Sequence, residues 1–223
     1  MARAAVFVAL LSTSAFAVTT PVKRAVAYYN PADNGGSMLD VAAAPLGEPL
    51  NVIVSGLSSA DVLTVDGLTN YAKAIGFSTE CLGIHLGNPQ TADLGDGQGQ
   101  VDQLLELRQD YGDATLGTCL ESAIGGNHFR AWKQNGTLAN SGAMLLAASK
   151  EKDASNNHDI VDNGYDIGRD QLVENAIGTT SFGGITYSTT AENITGLLPV
   201  GTAGINHDIA IDGIVTLLTV TIQ

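Results

Sequence analysis

Apolar and polar residues alternate in short bursts along this chain, and helical spacing is confined to two stretches. Leu50-Asn51-Val52-Ile53-Val54-Ser55-Gly56 is a β-branched run closed by glycine, which predicts a strand. Ser58-Ser59-Ala60-Asp61 offers capping residues for a helix reaching Ile75, with Gly76 as its stop. Residues 77–84 and 101–108 read as strands, and the glycine-rich 88–99 between them reads as a surface loop. Over 127–134, His128, Arg130 and Gln134 alternate imperfectly with Phe129 and Ala131, and Trp132 breaks the period. Asn135-Gly136 is a strong hairpin signal, and 143–149 supplies the return strand. Ile167, Leu172, Val173 and Ala176 fall at helical spacing, predicting a helix over 165–177, and 214–222 predicts a closing strand. Residues 25–48 carry turn residues without sustained periodicity and read as an extended N-terminal arm. Together these elements predict a single α+β domain over 49–223, a largely antiparallel sheet with helices packed on one face.

The first residues carry a different pattern. Arg3, the apolar stretch 4–11 and Ala15-Phe16-Ala17 form a positive start, an apolar centre and a small-x-small cleavage site, which predicts a signal peptide over 1–17. Residues 18–24 end in Lys23-Arg24, a dibasic processing mark, so the mature chain is expected to begin at Ala25. That leader predicts a secreted, extracellular protein. Removing Arg3, Lys23 and Arg24 makes the net formal charge of −13 still more negative, which excludes nucleic acid and anionic membrane as partners. No later segment is apolar for the roughly 20 residues a membrane helix needs. In an oxidising compartment Cys81 and Cys119, the two cysteines, are expected to be bridged. The sequons Asn135-Gly136-Thr137 and Asn193-Ile194-Thr195 place two expected glycans on the surface.

Common catalytic signatures are missing: there is no Gly-x-Ser-x-Gly elbow, His-Glu-x-x-His helix, Cys-x-x-Cys pair or P-loop. Gly95-Asp96-Gly97-Gln98-Gly99 lacks the strand and helix that flank a phosphate loop, and Asp93, Asp96 and Asp102 lack the spacing of a calcium loop. What stands out is a polar block from Asn127 through Ser149 to Asp170, containing His128-x-Arg130-x-Trp132, Ala147-Ala148-Ser149, His158-Asp159-Ile160 and Asp166-x-x-Arg169-Asp170. In that order these pieces resemble the LssY C-terminal domain family over about residues 50–180. The chain is also similar to small secreted fungal proteins of unknown role that share the Gly-Gly-Asn-His-Phe-Arg and Tyr-Asp-Ile-Gly-Arg-Asp stretches. The resemblance implies a fold and the location of a site. It implies no reaction, and residues 186–223 have no counterpart in it.

Two readings of the block stand side by side. His128 and Arg130, two apart on a strand, share one face, where the helix start could bring Asp166 and Asp170 to pair with Arg130. In the first reading that network, with Arg169, fixes packing, and the protein is a non-enzymatic binder of an extracellular partner or small molecule. In the second, His128, Arg130, His158 and Asp166 are catalytic groups of an ester or phosphoester hydrolase, with His207 and the neighbouring Asp159 or Asp208 as further candidates. No motif calls for a cofactor; a divalent metal is the one group such histidines and carboxylates could hold. Arg169, Asp170 and Trp132 are candidate ligand-binding residues, with Trp132 most simply a core anchor, and His85 reads as a strand-end polar residue.

Overall fold

The structure, a computed structural model, describes residues 26–83 and 88–223. The expected signal peptide and propeptide, and His85, lie outside the described residues. In chain order the strands are β1 (Asp40–Val41), β2 (Val52–Val54), β3 (Phe77–Thr79), β4 (Thr91–Asp93), β5 (Gln100–Asp102), β6 (Leu105–Gln109), β7 (Gly126–Asn135), β8 (Asn140–Glu151), β9 (Gly178–Phe182), β10 (Ile185–Ile194) and β11 (Val215–Ile222). The α-helices are α1 (Val65–Ala74), α2 (Gly117–Ile124) and α3 (Gly164–Ala176).

An 8-stranded sheet in the order β3-β6-β7-β8-β2-β11-β10-β9 forms the body, and β1, β4 and β5 make a separate small sheet. Among the described residues every pairing between these strands is antiparallel except β2 with β11. The α+β architecture expected from the sequence is therefore the one observed.

Strand alternation divides the core in two. Val52, Val54, Leu107, Phe129, Ala131, Leu146, Ala148, Leu218 and Val220 face α1 and α3, meeting Leu68, Tyr71, Leu172 and Ala176. Ile53, Trp132, Leu145, Ala147 and Leu217 face the other way, where Met38, Leu50, Ala92, Leu94, Leu198, Ile205 and Ile211 cover them. Residues 26–48 contribute Met38 to that cover, with Ala27, Tyr28 and Leu39 packed against it, and Leu50 and the segments around 92–94 and 198–211 supply the rest. Helix α3 rides close on the sheet: a Cβ on Gly168 would sit 2.6 Å from the Ser149 Cα, so only glycine fits there.

Several boundaries differ from the sequence reading. The first helix is split, with a 3-10 turn over Ala60–Leu63 before α1, which Thr64 caps by accepting from the Gly67 N–H at 3.0 Å. Gly76, at φ +87, ends that turn of chain as its position suggested. The run 101–108 is two strands belonging to different sheets, β5 and β6. The run from Phe77 leaves extended structure after Thr79 and enters a 3-10 turn over Cys81–Gly83, where Cys81 is disulfide-bonded to Cys119 in α2. The loop 88–99 contains β4, and its Asp96 is buried, accepting from the Asn135 N–H at 3.0 Å and the Gly136 N–H at 2.8 Å. That carboxylate braces the β7–β8 turn; its burial is outweighed by its hydrogen bonds, which hold its pKa below the usual range.

Candidate functional site

On β6, β7 and β8 the residues alternate so that Glu106 and Arg108, His128 and Arg130, and Ser149 and Glu151 all project to the arm-covered face. They form one buried ionic cluster. Arg108 contacts Glu106 at 2.9 Å, Glu151 at 2.8 Å and Glu121 of α2 at 3.3 Å. Arg130 reaches Glu48 of the arm at 3.1 Å and, through Nε, Glu106 at 3.3 Å. Glu106 therefore bridges the two guanidinium groups.

His128 is fully enclosed. Its Nε2 lies 3.0 Å from Arg130 Nη1 and 3.4 Å from Ser149 Oγ. Because a guanidinium can only donate, Nε2 is the acceptor, which leaves the ring proton to Nδ1, buried 3.3 Å from Glu151 Oε1 without a hydrogen bond. Burial, then the neighbouring Arg130, Arg108 and His158, hold its pKa well below that of a free imidazole. His158 Nδ1 lies 3.5 Å from the other oxygen of Glu151, at the half-buried edge of the cluster.

Carboxyl groups outnumber the cations here. Glu48, Glu106, Glu121, Glu151 and Asp40 surround Arg108 and Arg130. Burial, and secondarily Glu48, push Asp40 up to about 8, and Asp40 Oδ1 accepts from the Glu48 N–H at 2.7 Å. Burial likewise raises Glu48, and lifts Glu121 to about 7 against the pull of Arg108. Arg108 is held above its ordinary value, its burial outweighed by Glu151, Glu121 and Glu106. The upward shifts of Asp40, Glu48 and Glu121 share one cause, the cost of holding surplus negative charge in a medium that solvates it poorly.

Searches of protein-family models, curated proteins and solved structures return no match to this chain. Its residues must speak for themselves. Among the described residues no set of His, Cys, Asp and Glu side chains is arranged to hold a metal ion.

The expected site residues divide into separate groups. His128, Arg130 and His158 do come together around Glu151. Asp166 and Asp170 do not join them: Arg130 takes Glu48 and Glu106 instead, and the helix-start carboxylates belong to Arg169. That arginine makes a bidentate pair with Asp212 at 2.7 and 2.9 Å, contacts Asp170 at 2.7 Å and Asp166 at 3.4 Å, and donates to the Ile214 carbonyl at 3.0 Å. This second cluster clamps α3 to the segment entering β11. Burial and then Asp212 raise Asp166 to about 6.

Trp132 is 0% exposed at the centre of the second core, so it offers no face to a ligand and serves as a core anchor. His207, Asp208 and Asp159 are exposed in turns, outside the buried cluster. Asn135 and Asn193 are both exposed.

Sequence reasoning missed Glu48, Glu106, Arg108, Glu121 and Glu151. The alternation Leu105-Glu106-Leu107-Arg108 was a signal that a charged pair shares one strand face. Nothing local marked Glu48 or Glu121, whose relation to Arg108 and Arg130 arises only through packing.

Proposed function

We propose that this chain is a secreted, non-enzymatic extracellular domain that acts by binding, and that its His-Arg-Glu block is an internal ionic frame. The observation that carries this reading is the burial of the block: Arg108, His128, Glu106, Glu121 and Glu151 are each at most 8% exposed and engage one another. A general base must reach the proton it abstracts. His128, at 0% exposure between Arg130, Ser149 and Glu151, is sealed from a substrate by its burial. The leader, the disulfide and two exposed sequon asparagines support export. We also propose kinship with LssY C-terminal-like domains, carried by β7, β8 and the start of α3, with no reaction transferred.

The test pairs stability with chemistry. His128→Ala should lower stability by about 1–3 kcal/mol, because Arg130 and Glu151 lose a buried partner. Metal content of the secreted protein and its turnover of generic esters and phosphoesters should not change. A variant that melts like the wild type but loses a measurable ester or phosphoester hydrolysis would overturn the reading. Protein recovered from the medium should begin at Ala25.

A further inference from the structure

We propose that the cleft beside α3 is a binding site for a neutral saccharide. The alternation that turns Arg108, His128 and Glu151 toward the arm turns Gln109, Asn127 and Lys150 toward the helices. There they meet Gln171 and Asn175 of α3 across a cleft of about 280 Å³. Four carboxamides, Gln109, Asn127, Gln171 and Asn175, line it. A sugar hydroxyl asks its surroundings for both a donor and an acceptor; Gln171 Oε1 accepts from Lys150 Nζ at 3.4 Å, which turns its amide nitrogen to a ligand, and the Asn175 carboxamide carries both functions.

One of these groups is unfinished. Asn127 is 2% exposed, and its Nδ2 donates to the Gly168 carbonyl at 2.7 Å, while its Oδ1 has no hydrogen-bond partner. A buried acceptor left unsatisfied costs about 1–3 kcal/mol. A ligand hydroxyl entering the cleft would supply the missing donor. Beside it the Gln109 Oε1 accepts from the Asn127 N–H at 3.1 Å, which leaves the Gln109 amide nitrogen for a ligand oxygen.

Charge and shape narrow the ligand class. Lys150 and Glu174 are the charged residues of the lining, one of each sign, so the cleft has no net charge. Arg108, Arg130 and Arg169 are spent on carboxylates elsewhere, so among the described residues no guanidinium fork is available for a phosphate, sulfate or uronate. Tyr111 stands at the mouth, 44% exposed, with its hydroxyl fixed on the Gly125 carbonyl at 2.6 Å. A ring pinned in that way presents an apolar surface to the C–H face of a pyranose while its edge stays wet. The volume is near the lower limit of about 300 Å³ for ligand pockets, which suits the end of a short glycan.

This assignment deepens the binding reading and rests on it. The experiment is isothermal titration of the mature protein with a panel of short neutral oligosaccharides built from hexose, pentose or N-acetylhexosamine units, with the mixtures then chromatographed for cleavage. At least one member should bind with Kd below about 1 mM. Gln171→Ala should weaken that binding about tenfold without changing the melting temperature, and Asn175→Ala repeats the test at an exposed position. Asp102→Ala, in a cleft lined by β5 and β7 residues, should bind as the wild type does. A panel with no binder, or cleft variants that bind normally, would overturn the assignment and leave the account of the ionic frame intact. Cleavage of a glycan that Gln171→Ala weakens would instead sink the non-enzymatic reading and keep the site.

Discussion

Arg108 holds Glu106, Glu121 and Glu151 at once, from two strands and a helix, and is 5% exposed. Deleting its charge would strand those carboxylates in a medium where each must either find another partner or take up a proton. Arg108→Leu should therefore cost about 3–5 kcal/mol, read from the urea midpoint at constant slope. A loss under about 1 kcal/mol would mean the carboxyls are already protonated and indifferent to the guanidinium. At this scale the sequence exposed half of each contact. That His128 and Arg130 share a face follows from their spacing in a strand, and the structure agrees. That Arg130 prefers Glu48 and Glu106 over Asp166 could not be read, because Arg169, three residues from Asp166, satisfies it locally and Asp212 completes the set. Burial of Trp132 followed from its chemistry, whereas a ligand-facing role for it required exposure that its place in the second core denies.

Helix α2 shows why one element escaped pattern reading altogether. Its apolar residues Leu120 and Ile124, and Leu116 at its N-cap, are exposed, while Gly117, Thr118, Glu121 and Ser122 are buried. A rule that sends apolar stripes inward reads such a helix inside out. What seats it is Glu121 on Arg108, the close approach of Gly117 to the Asp110 carbonyl, and the disulfide from Cys119 to Cys81. The hairpin of β9 and β10 was also unread, although Gly183 and Gly184, at φ +60 and +81, sit between Thr-rich runs as a two-residue turn requires. By contrast the β7–β8 hairpin, α3 and β11 were legible, since turn chemistry and period there agree with burial. With little apolar burial to secure it, α2 should depend on its covalent tie. Cys81→Ser combined with Cys119→Ser closes no loop across 38 residues and should cost about 4 kcal/mol by the chain-entropy estimate, checked by denaturant titration against the wild type. Hydrogen exchange should show the loss concentrated in α2 and the turn after β3.

For the whole molecule the proton balance sets the pH of greatest stability. Asp40, Glu48, Glu121 and Asp166 all have folded pKa values above those of the unfolded chain. Their contribution is complete below an unfolded value of about 4 and fades as pH rises through about 6 for Asp166, 7 for Glu121 and 8 for Asp40. His128 works in the opposite sense: its folded pKa is depressed, so below about 6.5 protonation favours the unfolded chain. Asp96 and Asp212, held low by hydrogen bonds that outweigh their burial, withdraw support only as the medium becomes more acidic than about pH 4. Several carboxyls outweigh one imidazole. The melting temperature should rise from pH 8 to a maximum near pH 5 and fall below it, measured by differential scanning calorimetry in buffers of matched ionic strength. A flat or rising profile from pH 5 to 8 would contradict this balance.

The parallel seam of β2 and β11 carries one further consequence. Strand β2 lies between β8 and β11, and the Ser58 hydroxyl accepts from the Val220 N–H across 162 residues of sequence. Ribosomes deliver β11 long after β2, so during synthesis β2 waits with one flank open and Leu218 and Val220 absent from their layer of the core. Closure of so distant a pair is slow. Nascent chains stalled before Val215 would therefore show chaperones an unfilled slot in the middle of the sheet.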